Sequence, residues 1–290
     1  MDRLAAVVGC SVAAVSSVVA AWALYKWCSL KSGATSQHSQ HLQQEVQKQL
    51  IHHYVDVDNL TQLKDIIPSS AEDYSRRLAD YCNAMCSKYG NTKCKVLDIG
   101  SGAGGIAFHL SKYFDEVIAT DISAEMTLAC RQLQQFSEYT APLTSEGGNH
   151  IKLYKIKVPD GCVPSKISFI PNDVRITLME HGAFDTIVVS NVITEMASPK
   201  EFLRSVAAHV PPKGLLIIAD PFLWEGGPEA PLAMNGNIKT LTHLQLLLEP
   251  QWSLRETTSM PFFVAQSERV ATVASSEVST WQRLQEFDSP

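Results

Sequence analysis

Val96-Leu97-Asp98-Ile99-Gly100-Ser101-Gly102-Ala103-Gly104-Gly105 is an apolar run that ends beside an acid and breaks into glycines. Such a run, bounded by glycine, reads as a buried strand, and a helical pattern starts at Gly104. Glycines let the turn tighten and the backbone approach a ligand, while the helix behind the turn offers free N–H groups. The segment is a strand, turn and helix of the nucleotide-binding kind. Taken alone it is ambiguous, because Gly100, Gly102 and Gly105 satisfy a dinucleotide G-x-G-x-x-G pattern, and Asp121 stands where a ribose-binding acid belongs.

Outward from this loop, helical patterns alternate with short apolar runs, the mark of βαβ units around a parallel sheet. Tyr74 to Tyr89 carries Leu78, Tyr81, Cys82, Met85 and Tyr89 at helical spacing and precedes the first strand. Strands are expected at Lys95 to Ile99, Glu116 to Thr120, Lys166 to Ile170, Thr186 to Ser190 and Leu215 to Asp220, with helices from Gly104, Ser123, Pro199 and Thr240. Ala141 to Pro164 exceeds a normal connection and reads as an insertion holding a small hairpin around Ile151 to Val158. Beyond Pro250, the extended runs Trp252 to Val264 and Val270 to Trp281 lack a crossover helix, so the sheet should end in an antiparallel hairpin. The fold class is therefore α/β: a doubly wound, Rossmann-like sheet of seven strands with a C-terminal antiparallel hairpin, preceded by one transmembrane helix.

Composition narrows the chemistry. The 290 residues are 45% apolar and 19% charged, with a formal charge of -6, and no Lys/Arg cluster is present to neutralise phosphates, which excludes a nucleic-acid partner. The seven cysteines form no C-x-x-C pair and no regular framework, so neither zinc nor a disulfide scaffold is expected, and no metal site is. There is no G-x-S-x-G elbow for a hydrolase.

Asp98 decides between cofactors. A dinucleotide would bring a doubly negative pyrophosphate against this carboxylate in a poorly solvated cleft, at high electrostatic cost. S-adenosylmethionine has no phosphate, and its ammonium and sulfonium charges are helped by an acid. The run Asp98-x-Gly100-x-Gly102-x-Gly104 resembles the first motif of class I S-adenosylmethionine-dependent methyltransferases, and Val117-Ile118-Ala119-Thr120-Asp121-Ile122-Ser123 resembles their second. Phe169-Ile170-Pro171-Asn172-Asp173-Val174 is similar to the third element. The resemblance implies that S-adenosyl-L-methionine is held by Asp98, Gly100, Gly102, Gly104, Asp121, Ile122, Asp173 and Val174. In that scheme Asp98 organises the methionine end, Asp121 takes the ribose hydroxyls, and Asp173 and Val174 meet the adenine. The plain alternatives are that Asp98 and Asp173 serve as helix caps.

A narrower resemblance lies downstream. Asn191-Val192-Ile193, Pro221-Phe222-x-Trp224 and the tail from Met260-Pro261-Phe262 to Val278-Ser279-Thr280-Trp281-Gln282-Arg283 are similar to the domain of ovothiol-forming enzymes that methylates a ring nitrogen of 4-mercaptohistidine. More distantly the chain is similar to protein-histidine methyltransferases. Both families usually continue the Asn-led segment with Asp-Arg, where this chain has Thr194-Glu195. The resemblance implies N-methylation of an imidazole, in a thiol-histidine-like small molecule or a histidine side chain, with Asn191 as the catalytic, orienting group. Ligands in such sheets bind beyond the carboxyl ends of the strands, which adds Glu195, Asp220 and Trp224 as candidates. His52, His53 and Tyr54 precede the domain where such folds often close over the ligand. A catalytically silent methyltransferase fold acting as an interaction module at a membrane is the alternative from another class.

The N-terminus is a different material. Leu4 to Tyr25 is 22 residues without a charge. As a helix it would cover roughly 33 Å, enough to cross a bilayer core. Trp22, Tyr25 and Trp27 close the run and Lys26 and Lys31 follow it, which places the downstream side in the cytosol. The expected organisation is a membrane anchor over 1–30, a polar linker over 31–49 grading into a helix, and the methyltransferase domain over 50–290. The protein is then single-pass, with its catalytic domain facing the cytosol.

Overall fold

The computed structural model describes residues 36–145, 151–196, 198–223 and 239–285. The expected anchor over residues 4–25 lies outside them, as does Trp224. Among the described residues no helix is long and apolar enough to cross a membrane.

Where the sequence suggested a linker grading into a helix, the chain is helical from Ser36 to Tyr54 (α1), straight through the expected boundary at 49/50. Val46, Leu50 and Ile51 explain this, since all three are buried at helical spacing and enter the main compact unit, Val46–Pro290. Helix α2 (Tyr74–Lys88) buries Leu78, Cys82 and Cys86 on one stripe. Then come β1 (Lys95–Ile99), α3 (Gly105–Leu110), β2 (Glu116–Thr120) and α4 (Ala124–Phe136). A two-stranded insertion, β3 (Glu138–Thr144) with β4 (Ile151–Lys157), follows. The chain continues through β5 (Ile167–Ile170), α5 (Val174–His181), β6 (Thr186–Ser190), α6 (Pro199–Val206), β7 (Leu215–Asp220), α7 (Thr240–Leu248), β8 (Trp252–Ser267) and β9 (Val270–Arg283).

The main sheet has seven strands in the order β5-β2-β1-β6-β7-β9-β8. The first five are parallel, and β9 joins β7 antiparallel, with Ala219 opposite Val278. The order runs outward in both directions from β1, so the switch point lies between β1 and β6, and a crevice opens there at the carboxyl ends of the strands. Every residue of β6 and β7 is buried, which is why these strands read as unbroken apolar runs rather than alternations. One face packs Val96, Val117, Val188 and Ile217 with α1 and α2, and the other packs Leu97, Ile187, Leu216 and Trp281 with α6 and α7.

Two expectations shift. Lys166 belongs to a 3-10 turn begun by Pro164 and sends Nζ to the Phe114 carbonyl at 2.9 Å, so β5 starts one residue later than expected. The inserted hairpin begins at Glu138, not within Ala141 to Pro164, because Ser137 ends α4 in a left-handed conformation and turns the chain straight into β3. The sequence hides that strand, since only Ala141 and Leu143 along it are buried.

Candidate active site

The glycine turn sits at the end of β1 and is held by backbone bonds from Gly100 and Ser101 N–H to the Thr120 carbonyl, at 2.9 and 3.1 Å. Two positions require glycine for reasons of space as well as backbone. At Gly100, φ +69°, a Cβ would stand 2.7 Å from Val192 Cβ; at Gly104, φ +81°, it would stand 2.8 Å from Phe169 Cε1 and 3.0 Å from Cys130 Sγ. The loop is therefore wedged between the segment after β6 and the end of β5. Gly102, also left-handed, gives its carbonyl to the Cys130 thiol at 3.2 Å.

Asp121, at the end of β2, fastens the turn from the other side. Its Oδ2 accepts from Gly102 N–H and its Oδ1 from Ser123 N–H, each at 2.9 Å. Burial pushes its carboxyl above the usual range, and the two N–H groups offset part of that. Each oxygen retains a lone pair, so the carboxylate is able to hold the loop and accept two ribose hydroxyls together.

Asp98 is the unbalanced charge of the site. It is fully buried, and among the described residues neither carboxylate oxygen has a hydrogen-bond partner. Burial, then the proximity of Asp121, pushes its carboxyl up to about 7; the Ala107 N–H, outside hydrogen-bonding geometry, offsets this only in part. Two carboxyls at one glycine turn, one without a hydrogen-bond donor among the described residues, suit a cationic ligand. The ammonium and sulfonium of S-adenosylmethionine would supply such a charge.

The adenine end is more open. Ile122 is 82% exposed, and the Asp121 N–H reaches the Ile170 carbonyl at 3.2 Å, which draws the ends of β2 and β5 together. Val174 packs partly on the apolar face beneath. Asp173 caps α5 through Arg175 N–H and pairs with the Arg175 guanidinium at 2.9 Å, an interaction that holds its carboxyl below the usual range. Ile122 and Val174 fit the flat apolar face of a base, while Asp173 is already engaged as a cap.

Helix α1 contributes residues that the motifs did not assign. His53 Nδ1 accepts from Gly105 N–H at 2.9 Å, and Tyr54 Oη donates to the Ala103 carbonyl at 2.7 Å. Burial and the neighbouring His52 and His109 keep His53 neutral, as an acceptor must be. The paired His-Tyr ahead of the first strand was the signal available in the sequence, but only the fold shows both side chains gripping the glycine turn.

At the acceptor end the candidates separate. Asn191 follows β6 in a left-handed backbone, φ +51°, with its N–H on the Ala219 carbonyl at 2.7 Å and its Oδ1 accepting from Ser276 Oγ at 2.7 Å. Glu195 lies exposed on a 3-10 turn. Asp220 shares a face of β7 with Leu216 and Ile218, so it lies on the opposite side of the sheet from Ser276, which is in phase with Val278. It is fully buried, accepts from Phe222 N–H at 2.7 Å, and is pushed up to about 6 by burial, eased by the N–H groups of Phe222, Thr194 and Ile193. Its place is under the turn after β6.

A sequence profile described as a methyltransferase domain matches residues 70–268. The chain belongs to that family. It is an S-adenosylmethionine-dependent methyltransferase, and S-adenosyl-L-methionine is its cofactor. Solved structures similar to it include the N-methyltransferase NodS from Bradyrhizobium japonicum WM9, 13% identical over 74% of this chain and 98% of that one, TM-score 0.46. Another is magnesium protoporphyrin IX methyltransferase (ChlM) from Synechocystis PCC 6803 with bound SAM, 16% identical over 72% of this chain and 80% of that one, TM-score 0.44. No curated protein sequence matches the chain.

Two outcomes follow from the acids of this methyltransferase. Asp121→Ala removes a charge-assisted acceptor and should weaken S-adenosylmethionine and its demethylated product by about one to two decades in calorimetry; unchanged affinity would remove Asp121 from the ribose role. Asp98 is raised to about 7, so below that pH the free protein holds a proton there, which the cationic cofactor expels. Affinity should therefore rise with pH up to about 7, by at most roughly tenfold per unit, and flatten above it. Calorimetry in buffers of different ionisation enthalpy should count the released proton, and Asp98→Asn should abolish the release.

Proposed function

We propose that the chain transfers the methyl group of S-adenosylmethionine to a ring nitrogen of an imidazole, in a thiol-histidine-like small molecule or a histidine side chain. The observation that supports this best is Asn191. It stands beside the wedge of Val192 against Gly100, and its amide is held by Ser276 rather than turned to solvent. The resemblance of the segment after β6 and of the tail from Met260 to Arg283 to imidazole N-methyltransferases supports the same acceptor.

The chemistry asks little beyond position. A neutral imidazole has one nitrogen with an in-plane lone pair and one N–H. The lone-pair nitrogen attacks the methyl carbon in line as the carbon–sulfur bond breaks; the sulfonium charge passes to the ring, and the N–H proton is released afterwards to solvent. An amide oxygen on that N–H selects the reactive tautomer and gains strength as the ring becomes positive, so it stabilises the transition state more than the ground state. Desolvation and alignment supply the remainder, and no dedicated base is required.

We also propose that residues 4–25 tether this activity to a membrane with the catalytic domain in the cytosol, on the uncharged 22-residue run and the lysines after it.

Methyl transfer from labelled cofactor into a whole-cell extract, split into small-molecule and protein fractions, tests the acceptor, and mass spectrometry locates the methyl. Label on an imidazole nitrogen is the expected result; methyl on oxygen, sulfur or carbon rejects the imidazole while leaving the enzyme class intact. Asn191→Ala should then lower turnover far more than cofactor affinity, because its contact is with the acceptor. For the tether, alkaline carbonate should leave the full-length chain in the membrane pellet, and release into the supernatant would contradict it.

A further inference from the structure

Asn191 does not stand alone. Tyr74, on α2, donates to Ser276 Oγ at 3.2 Å, and Ser276, on β9, donates to Asn191 Oδ1 at 2.7 Å. Tyr74 has one proton and spends it on Ser276, so its 3.2 Å contact with Ser190 Oγ runs the other way, with Ser190 donating. The result is a one-directional chain, Ser190 to Tyr74 to Ser276 to Asn191. Three of its four members are buried. Burial also raises the Tyr74 phenol, which keeps its proton in place. His52 stacks on Tyr74 with ring centroids 6.1 Å apart, and Phe262 packs on it at 5.2 Å, so the phenol has no room to swing away.

The chain settles a question that the amide by itself leaves open. A side-chain amide has similar shape at both ends but opposite hydrogen bonding, so a free asparagine presents either oxygen or NH2. With Ser276 donating to it, the Asn191 oxygen is fixed, and one of its two lone pairs remains for the acceptor. Turned the other way, the amide would set an NH2 against the ring, hold the tautomer whose lone pair faces Asn191, and leave an N–H aimed at the methyl group.

We propose that Tyr74 and Ser276 are positioning residues that lock the Asn191 amide with its oxygen toward the acceptor, so that an imidazole binds only as the reactive tautomer. This rests on the imidazole reading for its substrate and on the hydrogen-bond chain for its geometry. The site thereby selects neutral N-heteroaromatic acceptors that have one N–H to give and one lone pair to react.

The test uses the full-length chain with S-adenosylhomocysteine bound and asparagine side chains labelled with 15N. The Asn191 NH2, identified by its loss in Asn191→Asp, should give one ordered pair of resonances. Ser276→Ala should broaden or double that pair, and Ser276→Thr should restore it, with S-adenosylhomocysteine affinity unchanged. An amide equally ordered in Ser276→Ala overturns the positioning role whatever the acceptor is. With L-histidine and 4-mercaptohistidine as probes and labelled cofactor, Ser276→Ala and Tyr74→Phe should lower kcat about tenfold, the scale of one well-placed hydrogen bond, with a smaller change in KM. A carboxylate has two equivalent oxygens and no wrong end, so Ser276→Ala should cost little more once Asn191→Asp is present. Equal costs in both backgrounds overturn tautomer selection. If the wild-type amide is ordered but neither probe nor any histidine of the protein fraction is methylated, the imidazole class is overturned and the lock stands, so the two failures are told apart.

Discussion

The Asp121 carboxylate is the fastening on which the site depends. One oxygen holds Gly102 N–H and the other Ser123 N–H, so a single side chain joins the glycine turn after β1 to the start of α4. Both bonds are charge-assisted, and such bonds are roughly twice as strong as neutral ones. The left-handed backbone of the turn, the wedge of Val192 against Gly100 and the grip of His53 and Tyr54 all presuppose a turn held in that place.

The same fastening creates an electrostatic problem that a cationic ligand would relieve. Bringing Asp121 to the turn sets it near Asp98, and desolvation drives the carboxyls of the half-buried Asp121 and the fully buried Asp98 upward. The rise of Asp98 to about 7 is the electrostatic signature of this burial and crowding. A pyrophosphate would worsen it, whereas a zwitterionic methionine carrying a sulfonium relieves it. One carboxylate, placed where no hydrogen-bond donor among the described residues neutralises it, thus disfavours a pyrophosphate at this glycine turn.

The acceptor side is organised by the return of the chain. Strand β9 enters antiparallel to β7, with Asp220 opposite Glu277, and this register carries Ser276 past the end of β7 to the residue that follows β6. Helix α2 brings Tyr74 in from the same face. Residues separated by 85 and 116 positions in sequence therefore meet as one hydrogen-bonded chain. Asn191 accepts a left-handed backbone to reach it, at a cost that asparagine bears more readily than most side chains.

Much of this was legible in residue order, for local physical reasons. The strand-turn-helix at Val96 to Gly105, the second acid at Asp121 and the five buried parallel strands follow from glycine freedom, charge and unbroken apolar runs, all of which act over a few residues. The terminal hairpin was legible too, because no helix separates its strands. What lay beyond the sequence was everything carried by contacts between distant segments. The strand β3 was missed because a polar edge strand buries too little to show a period, and the full extent of α1, read as a linker grading into a helix, was not seen because its Val46, Leu50 and Ile51 become a buried stripe only when a domain stands against them. Asp173 read as a base contact with a helix cap as the alternative, and the bond from Arg175 N–H shows the cap in use. By itself the sequence determined the seven-stranded α/β sheet and the cofactor, since those depend on backbone conformation and charge along short stretches of chain. Only the tertiary structure decided which end of the Asn191 amide is held and by what, because a hydrogen-bond direction is a property of neighbours in space.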